Sequence, residues 1–269
     1  MKLYFYSRNN ANFGDCLGPI IVEKLVGCPM ATENGFTAEG AKPSTGRNLL
    51  ALGSIFHLAG PHDVIWGTGI NPFRQQTKFR WWDRKIKTLD IRAVRGPLTR
   101  RFIIDHWKRD CPEVYGDPAL LLPKLVPTAN RQPKPKRKVG VIPHYHDLGA
   151  VKAEHSISPF RPHDEILTFI LESELVVSSS LHGLIVAEAF GVPARWLHSE
   201  HLPSFPTEGT FKFNDYYLST GRDPDDWAPS VDEAARRGGK EGITGFDCEN
   251  LRSSFPFDLT RELRLPDCA

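Results

Sequence analysis

The stretch LVVSSSLHGLIVAEAFGVPARWL, Leu175 to Leu197, constrains the fold more than any other. An apolar run, Leu175–Val177, gives way to three serines and then to His182-Gly183. From Leu184 the apolar residues recur at helical spacing as far as Phe190, and Gly191 closes the helix. A second apolar run follows at Ala194–Leu197. Strand, tight turn, helix and strand make one βαβ unit, and such units build parallel sheets. In open sheets of that kind, ligands bind where strand ends meet helix N-termini. The unit therefore also singles out His182.

The same alternation runs through the chain. Strands are expected at Leu3–Tyr6, Leu49–Leu52, Val64–Trp66, Ile91–Val94, Val139–Ile142, Leu175–Ser178 and Ala194–Leu197. Helices are expected at Leu17–Val26, Pro97–Trp107, Asp164–Leu171, Leu184–Phe190 and Val231–Arg236. One stretch breaks the pattern: VPTANRQPKPKRK, rich in proline and positive charge, reads as a stiff solvated connector. The expected architecture is α/β, with two Rossmann-like domains facing a cleft in a GT-B-like arrangement. Residues 1–128 form the first domain, 129–138 the linker and 139–228 the second. Residues 229–269 form a helical segment that packs back on the first domain. Ser199 to about Pro229 reads as irregular.

Composition narrows the function classes. Hydrophobic residues make up 40% and charged residues 25%, as in ordinary globular proteins. A net charge of +2 gives no reason to expect a nucleic-acid partner. No apolar run approaches the ~20 residues needed to span a bilayer. The opening MKLYFY is too short for a signal peptide and reads as a first strand. Five cysteines without CxxC pairing point to reduced thiols and a cytoplasmic protein.

Several places carry chemistry. In NANFGDCLGP, Asp15 either caps the next helix or presents a carboxylate to the cleft as a general base. Cys16 beside it is either a thiolate at a helix N-terminus or, more commonly, a small buried hydrophobe. In LDIRAVRGPLTRRF, Arg95 ends a strand and Gly96-Pro97 starts a helix. It either binds an anion there or pairs with a structural carboxylate such as Asp117. VIWGTGIN places Gly67 and Gly69 after a strand, where the backbone either approaches a ligand or merely turns. Asp117 in VYGDPALLLP reads as a turn and helix start. His144 and His146 have H-x-H spacing, but without Cys spacing or an HExxH helix no metal is expected. Ser179, Ser180, Gly183 and the helix N-terminus surround His182 as a cradle for an oxyanion or phosphate. Glu188, two turns on, either orients a partner or is a buried structural carboxylate.

Taken in order, NFGD, LGS, VIWGTGIN, IRAVRGPLT, VYGDPALLLP, VIPHY and SSSLHGLIVAEAFGVP resemble the polysaccharide pyruvyl transferases, especially those acting on exopolysaccharides of the xanthan and succinoglycan type. The similarity extends through FKFNDYYLSTGR to FPFDL. The resemblance implies phosphoenolpyruvate as donor and a lipid-linked oligosaccharide as acceptor. It implies a cyclic ketal, typically across O4 and O6 of a terminal hexose, made without cofactor or metal. Family members often carry an arginine two residues before the motif histidine. Ser180 stands there in this chain, so donor charge falls to Arg95 or Lys212. On this reading His182 is the general acid, with His144 second, and Asp15 is the base. Arg95, Ser179, Ser180, Gly183, Gly69 and Lys212 bind the donor. Asn12, Trp81, Trp82 and Glu188 face the acceptor. Trp81-Trp82 among basic residues either stack on sugar or touch the inner membrane surface, or else pack as a core residue and a solvated loop. Other function classes on the same fold are a nucleotide-sugar glycosyltransferase and a non-catalytic carbohydrate-binding module.

Overall fold

A computed structural model describes the chain except for residues 8–11, 73–87, 127–132, 225, 240–242, 244–245 and 266–269, and the side chains of 207–208. It is an α/β structure with two parallel sheets. The first sheet contains β1 (Lys2–Phe5), β2 (Thr32–Asn34), β5 (Asn48–Leu50), β6 (Val64–Trp66) and β7 (Asp90–Ala93), in the order β2-β1-β5-β6-β7. A small antiparallel hairpin, β3 (Phe36–Thr37) and β4 (Gly40–Ala41), follows β2. The second sheet contains β8 (Arg137–Ile142), β9 (Ser173–Ser178), β10 (Ala194–Leu197) and β11 (Trp227–Ala228), ordered β11-β10-β9-β8. In the first sheet the chain steps to one side of β1 and then to the other. The crevice outside the carboxyl ends of β1 and β5 is therefore a topological switch point.

Period-two alternation sorts the strand residues between faces. Leu3, Leu49 and Val64 join one core, while Tyr4, Leu50 and Ile65 join another on the opposite face. In the second sheet Val176 and Ile142 face inward, and Val141 and Val177 outward. The inward faces of both sheets share a single core. Helix α1 (Leu17–Val26) contributes Leu17, Ile21, Val22 and Val26 to it and ends at Gly27, with φ 79°. Helix α2 (Pro97–Trp107) begins with proline in its first turn and covers the opposite face through Ile103. A 3₁₀ turn at Pro118–Leu121, running into α3 (Leu122–Leu125), adds Ala119 to Leu122. α4 (His163–Leu171) supplies Ile166 and Ile170. In α5 (Leu181–Ala189), Leu181 through Glu188 are all buried, as befits a helix covered on every side.

Ser199 to Pro229 departs from the irregular expectation. It contains α6 (Phe205–Glu208), α7 (Phe211–Ser219) and β11. Phe213, Tyr216 and Tyr217 stand at i, i+3 and i+4, and that face of α7 packs into the core. α8 (Val231–Arg237) covers the outer face of the second sheet through Ala234. The chain then returns to the first sheet with α9 (Cys248–Ser253) and α10 (Thr260–Leu263). There the Trp66 indole donates to the Leu251 carbonyl at 3.0 Å and the Met1 amine to the Glu262 carbonyl at 2.8 Å. Among the described residues no helix is long and apolar enough to cross a membrane.

Candidate functional site

A cleft with about 90 Å³ of enclosed space opens where the two sheets present their carboxyl ends. Its walls come from loops after successive strands: Tyr6, Asn12 and Asp15 after β1, Ser54 after β5, Asn71 after β6, and Arg95 after β7. His144 and Tyr145 follow β8, Ser180 and His182 follow β9, and Lys212 enters from α7.

The glycine loop is pinned to the other half of the molecule. The Phe13 N–H donates to the Pro159 carbonyl at 2.8 Å, and His163 Nε2 lies 3.1 Å from the Phe13 carbonyl. Gly14 then passes so close to His182 that an added Cβ would stand 2.1 Å from its Nδ1. Asp15 lines the cleft one residue before the α1 cap position, which is Cys16, and the Cys16 side chain makes no cap bond. Burial raises the Cys16 thiol above its ordinary range, and its Sγ is hydrogen-bonded to Ser7 Oγ. A thiolate nucleophile is disfavoured at that position.

Arg95 is fully buried at the cleft floor. Its carboxylate partner is Asp215, 3.2 Å from Nε, rather than Asp117. Ser54 Oγ and the Ile70 carbonyl take two further N–H groups, at 2.7 and 3.2 Å. Two of the five guanidinium N–H groups remain. Asp215 also accepts from the Leu98 and Thr99 N–H groups at 2.9 and 3.0 Å and from Thr99 Oγ1 at 2.6 Å. One carboxylate thus caps α2 and seats the arginine. Gly69 does not line the cleft; it makes room for Arg95, since a Cβ there would meet Cζ at 2.3 Å.

The β9–α5 turn divides its serines. Ser180 sits at the α5 cap with extended backbone, makes no side-chain cap bond and lines the cleft. Ser179 faces elsewhere: its Oγ donates to Asp147 at 2.6 Å and accepts from the His144 N–H at 2.8 Å. Asp147 in turn holds Ser204 through both its N–H and its hydroxyl. Ser179 is therefore a strut between loops, and its hydroxyl is already engaged. Gly183 is a packing position, where a Cβ would meet Ser178 Oγ at 2.4 Å. His144 Nδ1 accepts from the His146 N–H at 3.3 Å. Among the described residues no group of three or more His, Cys, Asp or Glu side chains is placed to hold a metal ion. Lys212 is nearly buried, with its amine 5.3 Å from the Phe213 ring centre.

Glu188 is not at the cleft. It accepts from Tyr216 Oη at 2.5 Å and forms a two-pronged pair with Arg222 at 2.5 and 2.9 Å. Trp81 and Trp82 lie outside the described residues. Sequence reasoning missed Tyr6, Ser54, Asn71 and Tyr145 in the walls and Asp215 behind Arg95. It also missed the contact between Asp117 and His182, whose Oδ2 and Nε2 are 3.6 Å apart.

Residues 43–201 match the family model described as polysaccharide pyruvyl transferase. The succinoglycan biosynthesis protein ExoV of Rhizobium meliloti (strain 1021) is 28% identical over 234 residues, covering 82% of this chain and 65% of that protein. The uncharacterized protein L143 of Acanthamoeba polyphaga mimivirus is 27% identical over 236 residues, covering 82% of this chain and 75% of that one. A functionally uncharacterized Klebsiella pneumoniae protein of known crystal structure aligns with TM-score 0.46 and 12% identity, over 74% of this chain and 84% of that one.

Proposed function

The chain belongs to the polysaccharide pyruvyl transferase family, and from that premise we propose that it moves pyruvate from phosphoenolpyruvate to a terminal hexose of a lipid-linked exopolysaccharide unit, releasing phosphate and leaving a 4,6-type ketal. The two sheets are read as the lobes of a GT-B-like pair, residues 1–128 and 139–228. Contact with the inner face of the membrane would bring the lipid-linked acceptor to the cleft.

One observation carries this reading. The uncapped N-terminus of α5, Ser180, His182, Lys212 and the floor arginine Arg95 converge on one cleft, with a carboxylate, Asp15, on its wall. A donor with a carboxylate and a phosphate needs a cationic, N–H-rich cradle, and helix dipole and side-chain charge add there. The reaction then needs a proton delivered to the donor's methylene carbon, which leaves an oxocarbenium-like centre at C2. His182 supplies it, with His144 as the other imidazole on the wall. A sugar hydroxyl attacks C2 as Asp15 takes its proton. Phosphate leaves with the C–O electron pair, and the second hydroxyl closes the ring and loses the second proton. No step calls for a cofactor.

The test is incubation with phosphoenolpyruvate and lipid-linked oligosaccharides, followed by mass spectrometry and phosphate assay. The expected result is a product heavier by one ketal-linked pyruvate, with one phosphate released per ketal. Thermal stabilisation by nucleotide sugars but not by phosphoenolpyruvate, with no pyruvylated product, would overturn the reading.

A further inference from the structure

We propose that Asp117 is a positioning residue that holds a proton on His182 Nε2, so that Nδ1 is the nitrogen that exchanges a proton with substrate in the cleft. The role of Nδ1 rests on the donor-protonation reading above, whereas the pairing itself does not.

Asp117 Oδ2 and His182 Nε2 are both buried, and neither has a hydrogen-bond partner. A buried donor or acceptor left unmade is costly. The two atoms face each other at 3.6 Å, with side chains 1% and 10% exposed. That is beyond hydrogen-bond length but within reach of an ion pair, and a carboxylate there favours hydrogen on the facing nitrogen. Asp15, Lys212, Arg95 and His144 share the cleft, yet the carboxylate that meets His182 is Asp117.

The carboxylate is held from behind. Its Oδ1 accepts from the Ala119 N–H at 3.0 Å. Gly116, at φ 136°, donates to the Val94 carbonyl at 3.1 Å, and a Cβ there would strike the Phe246 ring at 2.5 Å. Pro118 rests on Gly67, where a Cβ would be 2.4 Å from its ring. On the other side of the imidazole, Nδ1 lies beside Gly14. Because Nε2 is buried, cleft access is left to that edge of the ring. A carboxylate that faces one ring nitrogen selects the tautomer. In the proposed step the Nδ1–H bond breaks as the donor's methylene carbon takes the proton with the C=C electron pair. The ring is left neutral with its hydrogen on Nε2, beside Asp117.

Ring-nitrogen NMR of ¹⁵N-histidine-labelled protein tests this without the reaction, with His182 assigned from the His182→Gln spectrum. Neutral His182 should carry hydrogen on Nε2 in the wild type and lose that preference in Asp117→Asn, which retains an acceptor for the Ala119 N–H. In the pyruvyl transfer assay Asp117→Asn should lower kcat by about 10²–10⁴, the scale of a mis-set tautomer, with KM for phosphoenolpyruvate changed less than about threefold. A wild-type ring with its lone pair on Nε2, or an Asp117→Asn enzyme with wild-type kcat, overturns the proposal. If Asp117→Asn does not fold, the wild-type spectrum still decides. An Nε2–H ring in a protein that turns over no phosphoenolpyruvate leaves the pairing standing and sinks the donor reading instead.

Discussion

Two buried carboxylates stand near opposite ends of α5, and they differ in what they leave unbonded. Glu188, near the C-terminal end, is saturated by Tyr216 and both arms of Arg222. Asp117, near the N-terminal end, uses one oxygen for a backbone cap and leaves the other facing His182 without a hydrogen bond. Saturation is what architecture requires, because an unmet buried charge is costly. An unmet valence beside a cleft is tolerated where chemistry needs it.

The strongest way to break this contrast is Glu188→Ala, which strands Arg222 away from the cleft. Urea unfolding should show a loss of about 3–5 kcal/mol, the usual result of halving a buried pair. An unchanged midpoint would mean that the saturated network is not structural. Asp215→Ala comes next, because Asp215 belongs to both categories: it caps α2 and seats Arg95. We expect catalysis to fall by about 2–4 kcal/mol in transition-state terms, alongside a lower melting temperature. Intact kinetics in a destabilised protein would place Arg95 on the architectural side. Lys212→Met keeps the stem and removes the charge. KM for phosphoenolpyruvate should rise about 10- to 100-fold with little change in stability, the scale of one charge-assisted bond. A change confined to melting temperature would make Lys212 a packing residue. The smallest effect concerns His163, whose pKa burial pushes below its ordinary value despite the Phe13 carbonyl. The native state then binds fewer protons than the unfolded one below the ordinary histidine range. His163 should therefore cost stability as pH falls from about 6.5. Urea midpoints should drift down over that range less in His163→Asn than in the wild type. Equal slopes would remove His163 from the account.

Strong local patterns were readable to the residue. Val64–Trp66, Ala194–Leu197, Leu17–Val26 and Pro97–Trp107 begin and end where sequence places them. α7 was overlooked although Phe213, Tyr216 and Tyr217 carry helical spacing, because the signal is a single turn of aromatic residues beside the Gly, Thr and Pro turn residues that precede it. β2 was missed because TEN is polar and gains its place only by pairing with β1. Among site residues, Asp15 and His182 stand at strand-to-helix handovers that sequence reveals. Asp117 looks like a turn aspartate until the fold brings His182 opposite, and Asp215 was hidden inside the unread α7. Ser179 and Ser180 are adjacent and chemically identical, and only backbone direction decides which reaches the cleft.

Gly14 and His182 occupy one volume between them. A methyl group at position 14 cannot coexist with an imidazole at 182 unless the loop moves, and the Phe13 links to Pro159 and His163 oppose that movement. The two positions therefore act as a steric pair: a side chain introduced at 14 needs a smaller residue at 182 or a displaced loop, and either change disturbs the imidazole and its proton.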